Sequence, residues 1–394
     1  MISISKLIEK VEKINPNNHE GSWKYIDIAS VDRFQKKIVL DSVSDITADS
    51  APSRARQLVL AGDIIISTVR PNLNTVAIVP KELDGAIAST GFCVLRPNKE
   101  MVDTKYLFHY IKSDDFVGKL VKLATGANYP AVSDKIIKEQ YLKKISLCEQ
   151  KNIAAILDKA EGIRQKREQA IKLADDFLRA TFLEMFSNEK IKIYPITKVD
   201  NILAQEKNSI RTGPFGSQLL HSEFTESGIA VLGIDNAVKN DFQWGKPRFI
   251  SQSKYETLKR YTVFPGDVIV TIMGTCGRCA VVPDDIPTAI NTKHLCCISL
   301  DKGKCIPEFL HSYFLTHPLA KEYLAKHSKG AIMDGLNMGV IKHMPFPKIP
   351  IEQQCEFVNF KEKIKRLKSK INSSKIDCEY NFTTLCNDIF NIQG

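Results

Sequence analysis

The sequence predicts an α+β protein with an internal repeat, in which two similar mixed α/β domains are joined by two long antiparallel helices that form a coiled coil. Three observations predict this fold class: segments that recur in the same order about 200 residues apart, Val/Ile-rich runs bounded by turn residues, and two long stretches with apolar residues at alternating steps of three and four. The predicted parts are a first domain (1–147), a first long helix (148–190), a second domain (191–349) and a second long helix (350–394).

The repeat is clearest in two stretches that each contain Gly-Asp, a β-branched run, a polar turn, a second apolar run and a proline. They read "AGDIIISTVRPNLNTVAIVP" (61–80) and "PGDVIVTIMGTCGRCAVVP" (265–283). Further matching pairs follow in the same order: 86–95 with 289–300, 105–113 with 308–316, 124–138 with 328–342, and 148–153 with 351–357. Because the order is kept throughout, we infer a tandem duplication of one unit.

Each copy is predicted to begin with a mixed α/β part. Short Val/Ile-rich runs bounded by Gly, Pro and Asn are typical of strands, and the longer segments that follow them have helical periodicity. The predicted strands are 64–68, 75–79, 268–272 and 280–282, and the predicted helices are 105–123 and 307–327.

Each copy is predicted to end in one long helix, at 149–186 and at 352–390. The apolar seam that the heptad spacing predicts consists of Ile153, Ile156, Ala160, Ile163, Ala170, Ala174, Phe177 and Thr181 in the first helix and Phe357, Phe360, Ile364, Leu367, Ile371, Cys378 and Leu385 in the second. Arg167, Ser374 and Asn381 interrupt it. Since a whole domain separates the helices, pairing requires them to run antiparallel, which brings the start of the first domain near the end of the last helix. The alternative is that each helix packs on its own domain.

Composition and charge indicate a soluble intracellular protein, which we expect in the cytoplasm. The chain has 394 residues, 43% hydrophobic and 25% charged, and a net charge of +10. It contains no apolar run long enough to span a membrane, and its charged N-terminus differs from a secretory signal. The modest basic excess is compatible with a polyanionic partner.

The ten cysteines are expected to be free thiols, and no metal site is expected. The alternative is a zinc site formed by the pair Cys276 and Cys279 together with Cys296 and Cys297. However, Cys296 and Cys297 are adjacent in a predicted strand, so their side chains should point to opposite faces.

Two similar domains held apart by a rigid spacer suit a protein that binds two sites a fixed distance apart on a polymer. Duplex DNA is the natural candidate, because its helical period turns spacing into a geometric requirement. Since the two domains differ in sequence, they are expected to bind two different half-sites.

Three motifs carry a family resemblance: "GPFGSQLL" (213–220), the Gly-Asp pairs at 62–63 and 266–267, and the Glu-Gln pairs that open the long helices at 149–150 and 352–353. With these motifs the duplicated unit resembles the specificity subunits of type I restriction–modification systems, which carry two target-recognition domains and two conserved helical regions. "PIEQQ" (350–354) is similar to the family's usual helix entry, whereas Leu147 stands where the second copy has Pro350.

The resemblance implies a non-catalytic subunit that recognises a bipartite, asymmetric site on double-stranded DNA. It implies two adenine-N6 methyltransferase subunits as partners, and restriction subunits in the full complex. S-adenosylmethionine, ATP and Mg are then expected only on those partners, and no cofactor on this chain. In agreement, the sequence lacks an adenine-methylation motif of the Asn-Pro-Pro-Phe/Tyr type and a nucleotide-binding G-x-x-x-x-G-K-[ST] motif.

Candidate DNA contacts are polar or basic residues in loops that differ between the copies. In the first domain they are Arg70, Asn72 and Asn74 after the first strand, the turn residues Ser89 and Thr90, and Asn128 and Tyr129. In the second they are Gly213, Phe215, Gly216, Ser217 and Gln218 of the loop 213–220, followed by Arg278, Asn291, Thr292, Lys293, His294 and Lys329. Arg and Asn can pair with guanine and adenine, respectively, and Lys with phosphate.

The loop 213–220 is not expected to bind a nucleotide, because no Lys follows its second glycine and no βαβ unit surrounds it. Its glycines are expected to let backbone amides approach a DNA phosphate; the alternative is a tight turn with Phe215 in the core. The first domain has no such loop, so the two domains should contact DNA differently. Two other functions stay open: an enzyme that acts alone, and a coiled-coil assembly scaffold with peptide-binding heads.

Overall fold

The computed structural model describes residues 1–327 and 335–390, except for the side chains of 374–383 and 385–388. The chain divides into two compact units. Unit 1 consists of residues 1–169 and 372–394, and unit 2 of residues 170–371. Both long helices therefore contribute to both units.

Unit 1 begins with a series of short strands followed by three helices. The strands are β1 (Ile2–Ser3), β2 (Ile8–Glu9), β3 (Ser22–Ile26), β4 (Val31–Asp32), β5 (Lys37–Ile38), β6 (Ser44–Thr47), β7 (Ala55–Leu58), β8 (Ile64–Ser67), β9 (Val76–Ile78), β10 (Ile87–Ser89), β11 (Phe92–Pro97) and β12 (Tyr141–Leu142). The helices are α1 (Thr104–Lys112), α2 (Asp114–Leu123) and α3 (Asp134–Lys138), followed by the long helix α4 (Leu147–Met185).

The strands of unit 1 form two four-stranded sheets. One has the order β2-β11-β8-β9, and the other has the order β6-β3-β10-β7, with β3 and β10 parallel. The first strand β1 pairs antiparallel with β12, and β4 pairs with β5 in a hairpin. The apolar faces of the first sheet and of helices α1 and α2 share one core.

Unit 2 contains the corresponding series of strands and helices. The strands are β13 (Ile196–Lys198), β14 (Ile210–Thr212), β15 (Phe224–Thr225), β16 (Ile229–Leu232), β17 (Phe249–Ile250), β18 (Thr262–Val263), β19 (Val268–Thr271), β20 (Cys279–Val281), β21 (Ala289–Asn291), β22 (Leu295–Ile298) and β23 (Pro345–Pro347). The helices are α5 (Gln252–Leu258), α6 (Pro307–Thr316), α7 (Pro318–His327), α8 (Met338–His343) and the long helix α9 (Ile351–Phe390).

The sheets of unit 2 repeat the topology of unit 1. The order β14-β22-β19-β20 corresponds to β2-β11-β8-β9, and the parallel pair β16 and β21 corresponds to β3 and β10. The antiparallel pair β13 and β23 corresponds to β1 and β12. The predicted internal repeat and α+β class are thus confirmed.

The helix predicted for each copy after the last sheet strand is in fact two helices. In unit 1, Ser113 is extended at the junction of α1 and α2, and its hydroxyl accepts a hydrogen bond from the backbone N–H of Phe116. In unit 2, His317 is extended and Pro318 starts α7, where proline's missing N–H is tolerated. An N-cap serine and a proline therefore interrupt what the apolar periodicity alone presents as continuous.

The long helices run antiparallel in unit 2. Phe182 of α4 packs against Phe357 of α9, and Phe177 packs against Phe360, with ring centroids 5.0 and 5.6 Å apart. Further along, Lys368 of α9 forms an ion pair with Asp175 of α4, so position rises along one helix as it falls along the other.

The predicted meeting of the chain's beginning with the end of its last helix occurs in unit 1. Phe390, in the last turn of α9, packs against Tyr106 and Tyr110 with centroids 5.5 and 5.6 Å apart. Ile4 and Leu7 belong to the same core. Unit 1 is therefore completed by the end of the chain.

The predicted coiled-coil seam is wrong at several positions. Ile156 and Ile163 of α4 are 54% and 39% exposed, whereas Ala154 and Leu157 are buried in the core of unit 1. The heptad pattern describes only the contact between the two helices. Each helix also packs against the apolar core of a domain, as in the alternative interpretation. Within the described part of the chain, no helix combines the length and the apolar character that crossing a membrane requires.

The first residues of the two long helices align one residue away from the alignment predicted from the sequence. Since α4 begins at Leu147 and α9 at Ile351, Ser146 rather than Leu147 occupies the position of Pro350. Ser146 forms a capping box with Glu149: its hydroxyl accepts from the Glu149 N–H at 3.2 Å, and its own N–H donates to the Glu149 carboxylate at 3.1 Å.

The same shift pairs Gln150 with Gln354 rather than with Gln353. Gln150 donates to the carbonyls of Met101 and Ile145 and accepts from the N–H of Asp103. In the second copy, the corresponding acceptors are Lys304 and Ile349, and the donor is Ile306.

The Gly-Asp motif organises the turn before the central strand in each unit. Asp63 accepts a hydrogen bond from the N–H of Leu60 and forms an ion pair with Arg96, with a nitrogen–oxygen distance of 2.8 Å. Asp267 accepts from the N–H of Phe264 and pairs with Arg211 at 2.5 Å. The motif is therefore structural, with the balancing arginine supplied by β11 in unit 1 and by β14 in unit 2.

Candidate nucleic-acid interface

Three segments that were predicted to contact DNA meet at one edge of unit 1: the loop after β8, the turn before β11 and the loop after α2. The N–H of Thr68 donates to the Gly91 carbonyl at 2.9 Å, and the N–H of Arg70 donates to the Pro130 carbonyl at 2.6 Å. These bonds hold segments that are distant in sequence on one surface.

Four of the predicted residues are exposed on this surface. They are Arg70, Asn72, Asn128 and Tyr129. The guanidinium of Arg70 lies over the ring of Tyr129, 4.7 Å from its centroid, and Tyr129 is 68% exposed. A cation over an aromatic face is held in orientation while its edges stay free to donate.

The other predicted residues of unit 1 divide into structural and accessible groups. The Asn74 side chain donates to the Lys112 carbonyl at 3.1 Å, and the wholly buried Ser89 accepts from the N–H of Gly91 at 3.2 Å. Burial of Ser89 contradicts its predicted contact, because its hydroxyl is committed inside the fold. Thr90 is exposed and remains a candidate.

In unit 2 the loop 213–220, the loop after β19 and the turn before β22 also adjoin one another. Gly213 lies so close to the Asn291 carbonyl oxygen that an added Cβ would be 2.0 Å away, so only glycine fits. The N–H of Ile272 donates to the His294 carbonyl at 2.9 Å. The close backbone approach at Gly213 therefore serves the chain's own packing rather than a phosphate.

The rest of the loop faces solvent. Phe215 is 47% exposed, which excludes the alternative of a turn with this ring in the core. Gly216, Ser217 and Gln218 are exposed as well. The amide oxygen of Gln218 accepts hydrogen bonds from the Tyr261 hydroxyl at 2.7 Å and from Arg260 at 3.3 Å.

The remaining predicted residues of unit 2 differ in accessibility. Arg278 and Lys293 are exposed, Thr292 is partly buried and Asn291 is wholly buried, with its amide donating to a backbone carbonyl at 3.0 Å. Burial contradicts the predicted contact of Asn291. Lys329 lies outside the described residues.

The surroundings of His294 favour the neutral form of its imidazole. Burial, followed by the positive charges of Lys293 and Arg248, lowers the pKa of His294 below its ordinary value. A neutral ring offers one donor and one acceptor to a ligand.

Two exposed aromatic groups were not among the residues predicted from the sequence. Phe34 in the β4–β5 hairpin is 75% exposed under the guanidinium of Arg33, and Trp244 in unit 2 is 58% exposed beside Phe242. The available signal was an aromatic residue beside a basic one inside a turn-rich segment, "DRFQKK" and "QWGKPRF".

Three of the four cysteines considered for a zinc site lie in the apolar cores of unit 2, Cys279 and Cys296 in one core and Cys297 in another. Cys279, Cys296 and Cys297 are fully buried in strands, and burial raises the pKa of each thiol. Across residues 1–327 and 335–390, the side chains that are described contain no group of three or more His, Cys, Asp or Glu arranged to hold a metal ion.

One segment, less than half of the chain, matches a known domain family. Residues 6–173 match the family model described as the type I restriction modification DNA specificity domain. The match covers β2 to β12, helices α1 to α3 and most of α4, and so includes the surface that carries Arg70 and Tyr129.

Two relatives match a larger part of the chain. The EcoBI specificity subunit of Escherichia coli is 22% identical over 300 residues, which are 71% of this chain and 62% of that protein. The MjaVIII specificity subunit of Methanocaldococcus jannaschii is 24% identical over 306 residues, 74% of this chain and 69% of that protein. The chain thus aligns with less than two thirds of the EcoBI subunit.

Two solved structures share the fold. A chain from a structure of complex assembly and conformational transition in a type I R-M system has a TM-score of 0.65 at 21% identity, covering 98% of this chain and 96% of its own. The type I S subunit from M. genitalium has a TM-score of 0.57 at 13% identity, covering 100% and 96%. Residues 6–173 thus match the DNA specificity domain, and over more than two thirds of its length the chain is similar to specificity subunits of type I restriction enzymes.

Proposed function

We propose that this chain is the non-catalytic DNA-recognition subunit of a type I restriction–modification complex. It would read a bipartite, asymmetric duplex site and position methyltransferase and restriction subunits there. The observation that carries the proposal is the duplicated framework: in each unit the same strand pairing gathers exposed polar loops at one edge, while the residues in those loops differ.

The difference between the two surfaces supports two different half-sites. Unit 1 presents Arg70, Asn72 and Asn128, and unit 2 presents Arg278 and Lys293 together with the loop 213–220. Donors of different type and spacing pair with different base edges in the major groove. The basic net charge of +10 supplies attraction to the phosphate backbone.

The long helices are proposed to bind the methyltransferase subunits. Ile156 and Ile163 of α4 are exposed in unit 1, and Leu173 of α4 and Leu367 of α9 are exposed in unit 2. Large apolar side chains on solvent-facing helices are suited to bury against a protein partner. S-adenosylmethionine, ATP and Mg would then be bound by partner subunits, and the complex would act on DNA in the cytoplasm.

The proposal is tested by footprinting the purified complex of this chain with its methyltransferase on genomic fragments. The expected footprint has two short protected sequences separated by an unspecified spacer. As a matched control, scrambling either half alone should abolish specific binding, whereas scrambling the spacer at constant length should not. Binding without sequence preference, or one uninterrupted site, would overturn the proposal and favour an assembly scaffold.

A further inference from the structure

The loops after β8 and β19 each contain a residue of positive φ near their start and another near their end, although the first loop is one residue longer. Arg70 stands three residues after Ser67, the end of β8, and Gly274 stands three residues after the corresponding end of β19. Both have positive φ, 52° for Arg70 and 73° for Gly274. The loops also end alike, with φ of 46° at Asn74 and 76° at Gly277, each two residues before the next strand.

Glycine adopts this left-handed conformation without steric cost, but other residues do not. The second copy uses glycine at both positions, whereas the first copy uses arginine and asparagine. Asn74 has a structural reason, because asparagine tolerates this region and its amide bonds to the Lys112 carbonyl. Arg70 lacks such a reason, since its backbone N–H bond to Pro130 requires no particular side chain.

The guanidinium of Arg70 is held in orientation, but its N–H donors remain available to a ligand. It lies over the Tyr129 ring, and among the described residues no carboxylate or carbonyl accepts a hydrogen bond from it. Both side chains are exposed. A planar fork of donors, fixed by stacking and kept at an unfavourable backbone position, suits a ligand with two acceptors side by side.

We infer that Arg70 recognises a guanine in the half-site bound by unit 1, with Tyr129 as the positioning residue that fixes the guanidinium plane. The N7 and O6 atoms of guanine form the paired acceptors that such a fork contacts in the major groove. A phosphate also offers two oxygens to such a fork, so the experiment below distinguishes a base contact, which is sequence-dependent, from a phosphate contact, which is not. This inference rests on the proposed function, and unit 2, with Gly274, has no corresponding contact.

The test uses the complex of the full chain with its methyltransferase and selection of bound duplexes from a randomised library. The wild-type complex should select one guanine that Arg70→Gly no longer selects, with a loss of about 5- to 150-fold in discrimination at that position and none in the other half-site. Arg70→Lys, which keeps the charge, should lose the same guanine. Tyr129→Leu should weaken the preference, and Tyr129→Phe should keep it.

Two further measurements separate recognition from folding and from charge. Arg70→Gly should unfold at no lower temperature than the wild type, because glycine relieves the left-handed strain. Replacing the selected guanine by 7-deazaguanine, which removes N7, should weaken the wild type and leave Arg70→Gly unchanged. If Arg70→Gly and Arg70→Lys keep the guanine preference, or weaken binding equally for all sequences, the inference is overturned. Absence of any sequence preference in the wild type would instead overturn the proposed function.

Discussion

Gln150 and Gln354 make the same hydrogen bonds at the start of the two long helices. Each amide donates to the carbonyl five residues earlier, at 3.1 Å for Gln150 and 2.8 Å for Gln354. Each also donates to a domain carbonyl and accepts a domain N–H two residues further along. A single buried side chain thus joins helix and domain in both copies.

Replacing either glutamine by alanine should remove the hydrogen bonds that link the start of the long helix to its domain. Gln150→Ala or Gln354→Ala leaves buried backbone groups without partners, so each should lower the free energy of unfolding by about 1–3 kcal/mol. Urea unfolding measures the change. Gln169→Ala, at an exposed position of α4, is the matched control and should have little effect. Equal stability of the two variants and this control would contradict the assigned role.

Removing the carboxylate of a Gly-Asp turn should lower the free energy of unfolding more than the glutamine substitutions do. Asp63 and Asp267 are almost completely buried, and each balances an arginine. Asp267→Asn leaves the buried Arg211 without its counter-ion, so we expect a loss of about 3–5 kcal/mol, and a smaller loss for Asp63→Asn because Arg96 is partly exposed. Asp284→Asn, at an exposed position, is the control in the same thermal-unfolding experiment. Losses below 1 kcal/mol, on the order of a surface change, would refute the structural role of the motif.

Lys361 should make stability depend on alkaline pH. Its ammonium contacts the Glu308 carbonyl, the Ser312 hydroxyl and His311 Nδ1. Burial lowers the pKa of Lys361 to about 8 from an ordinary 10.5. The groups that act on it also include the charges of Glu308, Glu362 and Lys365 and the buried thiol of Cys279.

The sign follows from proton binding. Between pH 8 and 10.5 the unfolded chain holds more protons at this lysine than the folded chain, so this group's contribution to stability rises with pH. The free energy of unfolding of the wild type relative to Lys361→Met should therefore increase from pH 7.5 to pH 10. The exposed Lys363→Met control should show a constant difference. A constant difference for Lys361→Met as well would disprove the lowered pKa.

The proposed partner surface makes a prediction about assembly. Leu173→Asp places a charge on an exposed apolar position of α4, so it should reduce methyltransferase binding at least tenfold without lowering the unfolding temperature. Ile193→Asp, at an exposed apolar residue just beyond α4, is the control. Analytical ultracentrifugation of the mixed subunits measures how strongly each variant binds the methyltransferase. Unchanged assembly of Leu173→Asp would remove this helix face from the proposed interface.

The repeat and its elements could be predicted because both copies preserve strand composition and spacing. The break at Ser113 and the exposure of Ile163 could not, since apolar periodicity records which residues are apolar but not which surface covers them. The Gly-Asp pairs were identified correctly as a shared feature, but their buried arginines come from different strands in the two copies.

The sequence predicted which residue types the candidate site contains, but it did not reveal which of those side chains are exposed. Arg70 and Tyr129 were selected separately as loop residues, and only the fold brings them into contact. Ser89 and Asn291 have the same polar character but are buried by the strand they end, which a sequence pattern does not reveal.

Adenine methylation mapped across the host genome, with and without the gene for this chain, tests the central claim most directly. The proposed function predicts one bipartite motif, two short defined sequences with an undefined spacer, that is methylated only when the chain is present. Methylation that is unchanged by removing the gene, or confined to a single uninterrupted motif, would contradict it.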